Sequence, residues 1–246
     1  TIYKEDNRVI YLQNGENLGG SLSRNIGVQA SNGEYVTFLD DDDMYLPHKV
    51  ENQITGMIDN NLEMSFTDLK ICNENGNIVD FREYTRIASF DTKTLLKYHL
   101  TKLITGTPTF MYKKESFIKI GGFPDAKVSQ EFYLMLVTIE KGLKIGYIHK
   151  ADVIAYRQSI GGISMGNNKL DGEERLYKFK KKYFNALSWS EKRFIKFRYN
   201  VILAVTWKRN KSILRAVKHL FIALVISPID FVAEATRFLR LISYNK

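Results

Sequence analysis

The run Tyr35-Val36-Thr37-Phe38-Leu39 has the β-branched and aromatic character of a strand, and it leads directly into Asp40-Asp41-Asp42-Asp43. Four adjacent carboxylates repel one another. They are tolerated where water or a cation offsets them. A strand end in a layered α/β sheet is also where such folds bind ligands. A solvated acidic loop is the plain reading. The sharper one is a divalent metal site. Mg²⁺ and Mn²⁺ take carboxylate oxygens together with substrate phosphates. A cation held there would fix a nucleotide diphosphate and stabilise it as a leaving group.

The surrounding pattern is that of an α/β domain. Strands are expected at Val9-Ile10-Tyr11-Leu12, at 35–39, 64–66, 109–112, 144–148 and 152–156. Helices are expected at 21–30, after Pro47 with Val50, Ile54, Met57 and Ile58 inward, at 114–120 before Gly121-Gly122, and at 130–141 before Gly142. This alternation predicts a mostly parallel sheet. No internal repeat is visible. The 44% hydrophobic and 26% charged composition excludes a disordered chain and a polytopic membrane protein. The single cysteine, Cys72, excludes an intrachain disulfide and a cysteine-based zinc site.

Charge divides the chain. Residues 1–184 carry 24 basic and 24 acidic groups, whereas 185–246 carry 12 and 3 and so hold the whole net charge of +9. From residue 171 the sequence reads as helices at about 171–186, 189–208 and 211–244, the last broken at Pro228. Ile213, Leu214, Val217, Leu220, Phe221, Leu224, Val225 and Ile226 make a broad apolar face edged by Lys211, Arg215, Lys218 and His219. The unbroken apolar run 220–227 is too short to span a bilayer. The expectation is a basic amphipathic region, 166–246, that lies on an anionic membrane through 189–244. Packing onto the head or an oligomer interface is the alternative. Nucleic acid is not expected, because no reading motif accompanies the basic groups.

The order of motifs is more specific than any one of them. Asn17-Leu18-Gly19-Gly20-Ser21-Leu22-Ser23-Arg24-Asn25-Ile26-Gly27, then Gly33-Glu34-Tyr35-Val36, then Phe38-Leu39 with the aspartates and Pro47, resembles the family 2 glycosyltransferases of GT-A fold. Their pattern is N-x-G-x-x-x-A-R-N-x-G followed by a strand ending in L-D-x-D-D, and Ser23 stands for the alanine. The resemblance covers about residues 1–165. It implies a Rossmann-like nucleotide-diphospho-sugar transferase sheet and a Mn²⁺ or Mg²⁺ cofactor on Asp42. It also implies Asp40 and Asp41 beside the nucleotide and metal, with Arg24 and Asn25 on the adjoining helix. A surface salt bridge is the plain alternative for Arg24.

The family's second landmark is G-G-F, then E-D on a helix, the aspartate acting as general base. Here Gly121-Gly122-Phe123 is followed by Gln130 in the glutamate place and Glu131 in the aspartate place. The resemblance therefore implies Glu131 as base and an inverting transfer, with Thr107, Pro108 and Gln130 on the acceptor side. A carboxylate at a helix start can equally be a cap. Two departures stand out. Tyr156-Arg157-Gln158-Ser159 has serine where many members have a metal-binding histidine. The strands ending in P-x-Y-N and D-D-G-S, which hold the nucleotide in the family, do not precede Thr1, so an N-terminally truncated sheet is expected.

The expected activity is transfer of a sugar from a nucleotide-sugar donor, a UDP-sugar above others, to a saccharide or lipid-linked acceptor in cell-surface polysaccharide synthesis. The expected location is cytoplasmic, peripheral on the inner face of the cell membrane. A non-catalytic fragment keeping membrane or partner binding is the alternative. A nucleotidyltransferase would want a Gly-rich phosphate loop that the sequence lacks.

Overall fold

The computed structural model describes residues 5–126, 128–157 and 166–244. The first helix is α1 (Gly19–Ala30), followed by β1 (Tyr35–Thr37), β2 (Met44–Tyr45) and α2 (Lys49–Asp59). Next come β3 (Met64–Thr67), β4 (Leu69–Asn73), β5 (Ile78–Arg82) and α3 (Thr92–Lys102). A 3₁₀ turn at Thr107–Thr109 leads to β6 (Met111–Lys113), α4 (Lys114–Lys119), α5 (Gln130–Glu140), β7 (Ile145–Ile148) and β8 (Val153–Arg157). From residue 166 the described elements are helices: α6 (Gly166–Lys181), α7 (Trp189–Arg209), α8 (Ile213–Ile226) and α9 (Pro228–Tyr244).

Two four-stranded sheets form, ordered β1-β6-β3-β7 and β2-β8-β4-β5. The mostly parallel sheet expected from the alternation is corrected here. Among the described residues β3–β7 and β4–β8 are parallel, and the other four pairings are antiparallel. The two parallel pairs have one cause. The chain passes from β3 to β4 through the single residue Asp68, and from β7 to β8 through 149–152, so two segments run side by side through both sheets. Asp68 N–H donates to the Lys150 carbonyl at 3.0 Å at that crossing. β1 passes to β2 in the same way, and the link between them is the aspartate run. The run therefore sits at the junction of the two sheets.

The main core packs Phe38, Phe66, Phe110, Tyr112, Phe117 and Phe123 between β1, β3, β6 and the helices. Gly121 (φ +90°) and Gly122 (φ +68°) take the left-handed backbone that ends α4, as their sequence position predicts. The apolar face expected for α2 is rotated. Lys49, Gln53 and Met57 point inward, and Val50 and Ile58 are exposed. Gln53 donates to Ser65 Oγ (3.0 Å) and to the Thr109 carbonyl (2.8 Å), so a polar side chain fills a core position by satisfying buried oxygens. Val9-Ile10-Tyr11-Leu12 forms no strand, and all four are exposed. Without a paired neighbour a four-residue apolar run has no ladder to join.

The tail begins inside the head. Leu176, Leu187 and Ile195 of the α6–α7 region share one apolar cluster with Leu100 of α3 and Phe132 and Leu136 of α5. Ser188 and Glu191 form a capping box that starts α7. Beyond it, α8 packs on α7, and α9 reaches β5, where Arg237 pairs with Asp80 at 3.1 Å.

Candidate functional site

At the end of β1, Asp43 N–H donates to the Asp40 carbonyl (3.1 Å), folding the four aspartates into a turn. Asp41 and Asp42 stand exposed on it, while Asp40 and Asp43 are partly covered. Burial pushes the Asp43 carboxyl up to about 6, and the charges of Asp42 and Asp40 add to the rise. A hydrogen bond from Tyr156 N–H to Asp43 Oδ1 (3.3 Å) works the other way.

Beneath this turn lies a buried polar group. Lys49 Nζ donates to Thr37 Oγ1 at 3.0 Å and lies 4.0 Å from the Tyr45 ring centroid. Tyr45 O–H donates to the Phe38 carbonyl at 2.6 Å. Burial lowers the Lys49 ammonium to about 7, partly restored by Asp152, and raises the Tyr45 phenol to about 12. These contacts grip both strands that hold the aspartate turn. Sequence reading missed Lys49 because it took Val50, beside it, for the inward residue.

Arg24 of α1 joins the turn to α5. Its Nη2 donates to Asp40 Oδ1 at 2.5 Å and its Nη1 to Gln130 Oε1 at 2.8 Å. Gly20 makes room for this: a Cβ there would lie 2.9 Å from Arg24 Nη1 and 3.0 Å from Gln130 Oε1. Asn25, one residue on, binds Phe123 through both ends of its amide. Its Nδ2 donates to the Phe123 carbonyl and its Oδ1 accepts from the Phe123 N–H, each at 2.9 Å. Arg24 and Asn25 thus tie α1 to the two sides of the 121–130 segment.

Gln130 and Glu131 open α5. The Glu131 carboxylate is half-buried and has no hydrogen-bond or ion-pair partner among the described residues. It lies next in sequence to Gln130, which is one guanidinium away from Asp40. Among the described residues the structure brings Arg24, Asp40 and Gln130 together, with Asp41 and Asp42 on the adjoining turn and Glu131 next to Gln130 in the first turn of α5. Thr107 and Pro108 are different. Both are buried in the 3₁₀ turn beside β8. They offer little side-chain surface. Gln158 and Ser159 lie outside the described residues.

The sequence pattern described as Glycosyl transferase family 2 matches residues 1–121. Residues 1–121 belong to glycosyl transferase family 2. An uncharacterized glycosyltransferase of Haemophilus influenzae is 31% identical over 168 residues, which cover 68% of this chain and 63% of the relative. A second relative, the UDP-Glc:alpha-D-GlcNAc-diphosphoundecaprenol beta-1,3-glucosyltransferase WfgD of Escherichia coli, is 32% identical over 76 residues, 31% of this chain and 30% of that protein. The chain thus spans less than two thirds of these curated relatives. In fold, the chain resembles Staphylococcus aureus TarS 1–349 solved in complex with UDP-GlcNAc, with a TM-score of 0.52 at 14% identity, covering 87% of this chain and 75% of that one. The fold is GT-A.

Glycosyl transferase family 2 enzymes generally use a divalent metal. Among the described residues no three His, Cys, Asp or Glu side chains gather to cage one. The oxygen-only aspartate turn, with Asp42 exposed and Asp43 starved of solvation, suits a hard cation completed by substrate phosphates. It does not suit an all-protein site.

Proposed function

We propose that the chain carries the transfer site of a metal-dependent, inverting glycosyltransferase that uses a nucleotide-sugar donor, a UDP-sugar above others. The observation that supports this reading is the Arg24 bridge, which joins the aspartate turn through Asp40 to Gln130 at the start of α5, the helix that also carries Glu131. Asp42 would hold Mn²⁺ or Mg²⁺, with Asp41 beside it. The ion, when bound, offsets the charge of the departing nucleotide diphosphate.

Arg24 fixes Asp40 on the donor side and Gln130 on the acceptor side. Asn25 holds the loop before α5 in register with α1. Glu131, at the start of α5, takes the proton of the acceptor hydroxyl. The acceptor oxygen then bonds to the anomeric carbon as the bond from that carbon to the diphosphate oxygen breaks. One base and one leaving group suffice, and a single displacement inverts the anomeric centre. The named acceptor of WfgD supports a lipid-linked or other saccharide acceptor, in cell-surface polysaccharide synthesis.

UDP release from UDP-sugars, measured with soluble saccharides and with diphosphoundecaprenol-linked sugars, tests the reading. It predicts release that needs Mn²⁺ or Mg²⁺ and is lost in Glu131→Gln. Metal-independent release, or full release by that variant, contradicts it.

A further inference from the structure

Helix α8 is amphipathic in the wrong sense for a soluble domain. Its inward face, against α7, carries Ala216 and Ala223, and His219 faces Asn200 with its Nδ1 3.0 Å from Asn200 Oδ1. Its outward face carries Ile213, Leu214, Val217, Phe221, Leu224 and Val225, all exposed, Leu214 to 87% and Phe221 to 65%. At 3.6 residues per turn these six fall within an arc of roughly 120°. Past Pro228 the exposed Ile229 and Val232 extend the apolar character. An outward stripe of this size is not ordinary surface.

The charge around it is one-sided. Residues 192–229 contain nine Lys and Arg and no Asp or Glu. Lys208, Arg209, Lys211, Arg215 and Lys218 are exposed beside the stripe, and the Arg215 guanidinium sits 4.4 Å from the Trp207 ring centroid. The nearest acids beyond are engaged elsewhere. Asp230 accepts from Ser227 Oγ (2.6 Å), and Glu234 pairs with Arg198 (2.7 Å) and Arg237 (3.0 Å).

We infer that the outward face of α8, with Ile229 and Val232, is a docking surface for an anionic lipid bilayer. The apolar stripe enters the headgroup–acyl boundary and the flanking Lys and Arg side chains meet lipid phosphates. A second copy of the chain fits less well. Pairing this face with itself would bring two basic rims together with no carboxylate in 192–229 to relieve them. No helix among the described residues is long and apolar enough to cross a membrane, so the contact is one of lying on the surface. The structure also narrows the region expected from sequence. α7 is held between α6 and α3 on one side and α8 on another, so the contact starts at its C-terminal end and not at residue 189.

Flotation of the full chain with vesicles tests this without nucleotide or turnover, so its failure would leave the transferase reading untouched. The chain should float with phosphatidylcholine vesicles doped with phosphatidylglycerol, and less so at high salt. It should not float with phosphatidylcholine alone. Leu214→Ser/Phe221→Ser changes only exposed side chains and should lower the bound fraction about tenfold or more, since each lost insertion removes at least that much affinity. Lys211→Glu/Lys218→Glu should weaken binding with the apolar stripe intact. No binding to the anionic vesicles, or binding by both variants equal to that of the parent, overturns the proposal. A concentration-dependent dimer that Leu214→Ser/Phe221→Ser dissolves would overturn it in favour of a second copy.

Discussion

The Arg24 guanidinium donates to the Asp40 carboxylate at 2.5 Å, across 16 residues of sequence, while its other amino group holds Gln130, 106 residues away. One side chain thereby sets the distance between the aspartate turn and the helix that carries Glu131. Arg24→Ala should weaken metal-dependent UDP binding about tenfold or more, the scale of one charge-assisted hydrogen bond. Its effect on folding should be small, because the pair is partly solvent-exposed. Arg24→Lys should recover only part of the loss, since an ammonium cannot reproduce the fork. Isothermal titration with UDP and Mn²⁺, beside thermal melts of the three proteins, checks this. Equal affinities would remove Arg24 from the site.

Gly20 permits a sharper separation of stability from function. It lies in the first turn of α1 with an ordinary helical backbone, where alanine is no worse a helix former than glycine. The new Cβ would meet the mobile end of Arg24 and the Gln130 side chain, not backbone. Gly20→Ala should therefore melt no lower than the parent and bind UDP with Mn²⁺ more weakly. A variant that binds normally would show that the Arg24–Gln130 contact is not needed for donor binding.

His99 supplies a pH dependence. It is fully buried, with Nε2–H donating to the Phe132 carbonyl (3.0 Å) and Nδ1 accepting from the Ile104 N–H (3.1 Å), a fixed neutral tautomer. Burial lowers it from the usual 6.5 to about 3. The unfolded chain therefore takes up this proton first. The stability from His99 is complete above about pH 6.5 and is lost as the pH falls toward 3, by about 1.4 kcal/mol per pH unit. Urea unfolding of the parent and His99→Gln at pH 7, 6 and 5 should show a steeper decline in the parent. Parallel declines would contradict the assignment.

What the sequence made readable was local. Gly121-Gly122 and Gly142 stop helices through their own backbone freedom. The tail helices were visible in the spacing of their apolar residues, and the aspartate turn in its place after a strand. What depended on distant partners was not. Val9-Ile10-Tyr11-Leu12 has strand composition, but a strand exists only beside another. β6 runs antiparallel to both its neighbours, a choice its three residues do not encode. α3 was unread between residues 84 and 107, although Asp91 caps it by accepting from Thr94 N–H at 3.0 Å. The Arg24 bridge was legible in its parts, since each residue lies in a motif. Its geometry needed the fold.

The central claim is a donor site completed by metal on Asp42. The measurement that tests it most directly is the melting temperature of the 246-residue chain with Mn²⁺ and each of UDP, GDP, CDP and dTDP, beside Asp42→Ala. A ligand bound only by the native state raises the melt by mass action. The account predicts a rise with UDP that needs Mn²⁺ and is absent in Asp42→Ala. An equal rise in that variant, or no response of the parent to any nucleotide with metal, would contradict it.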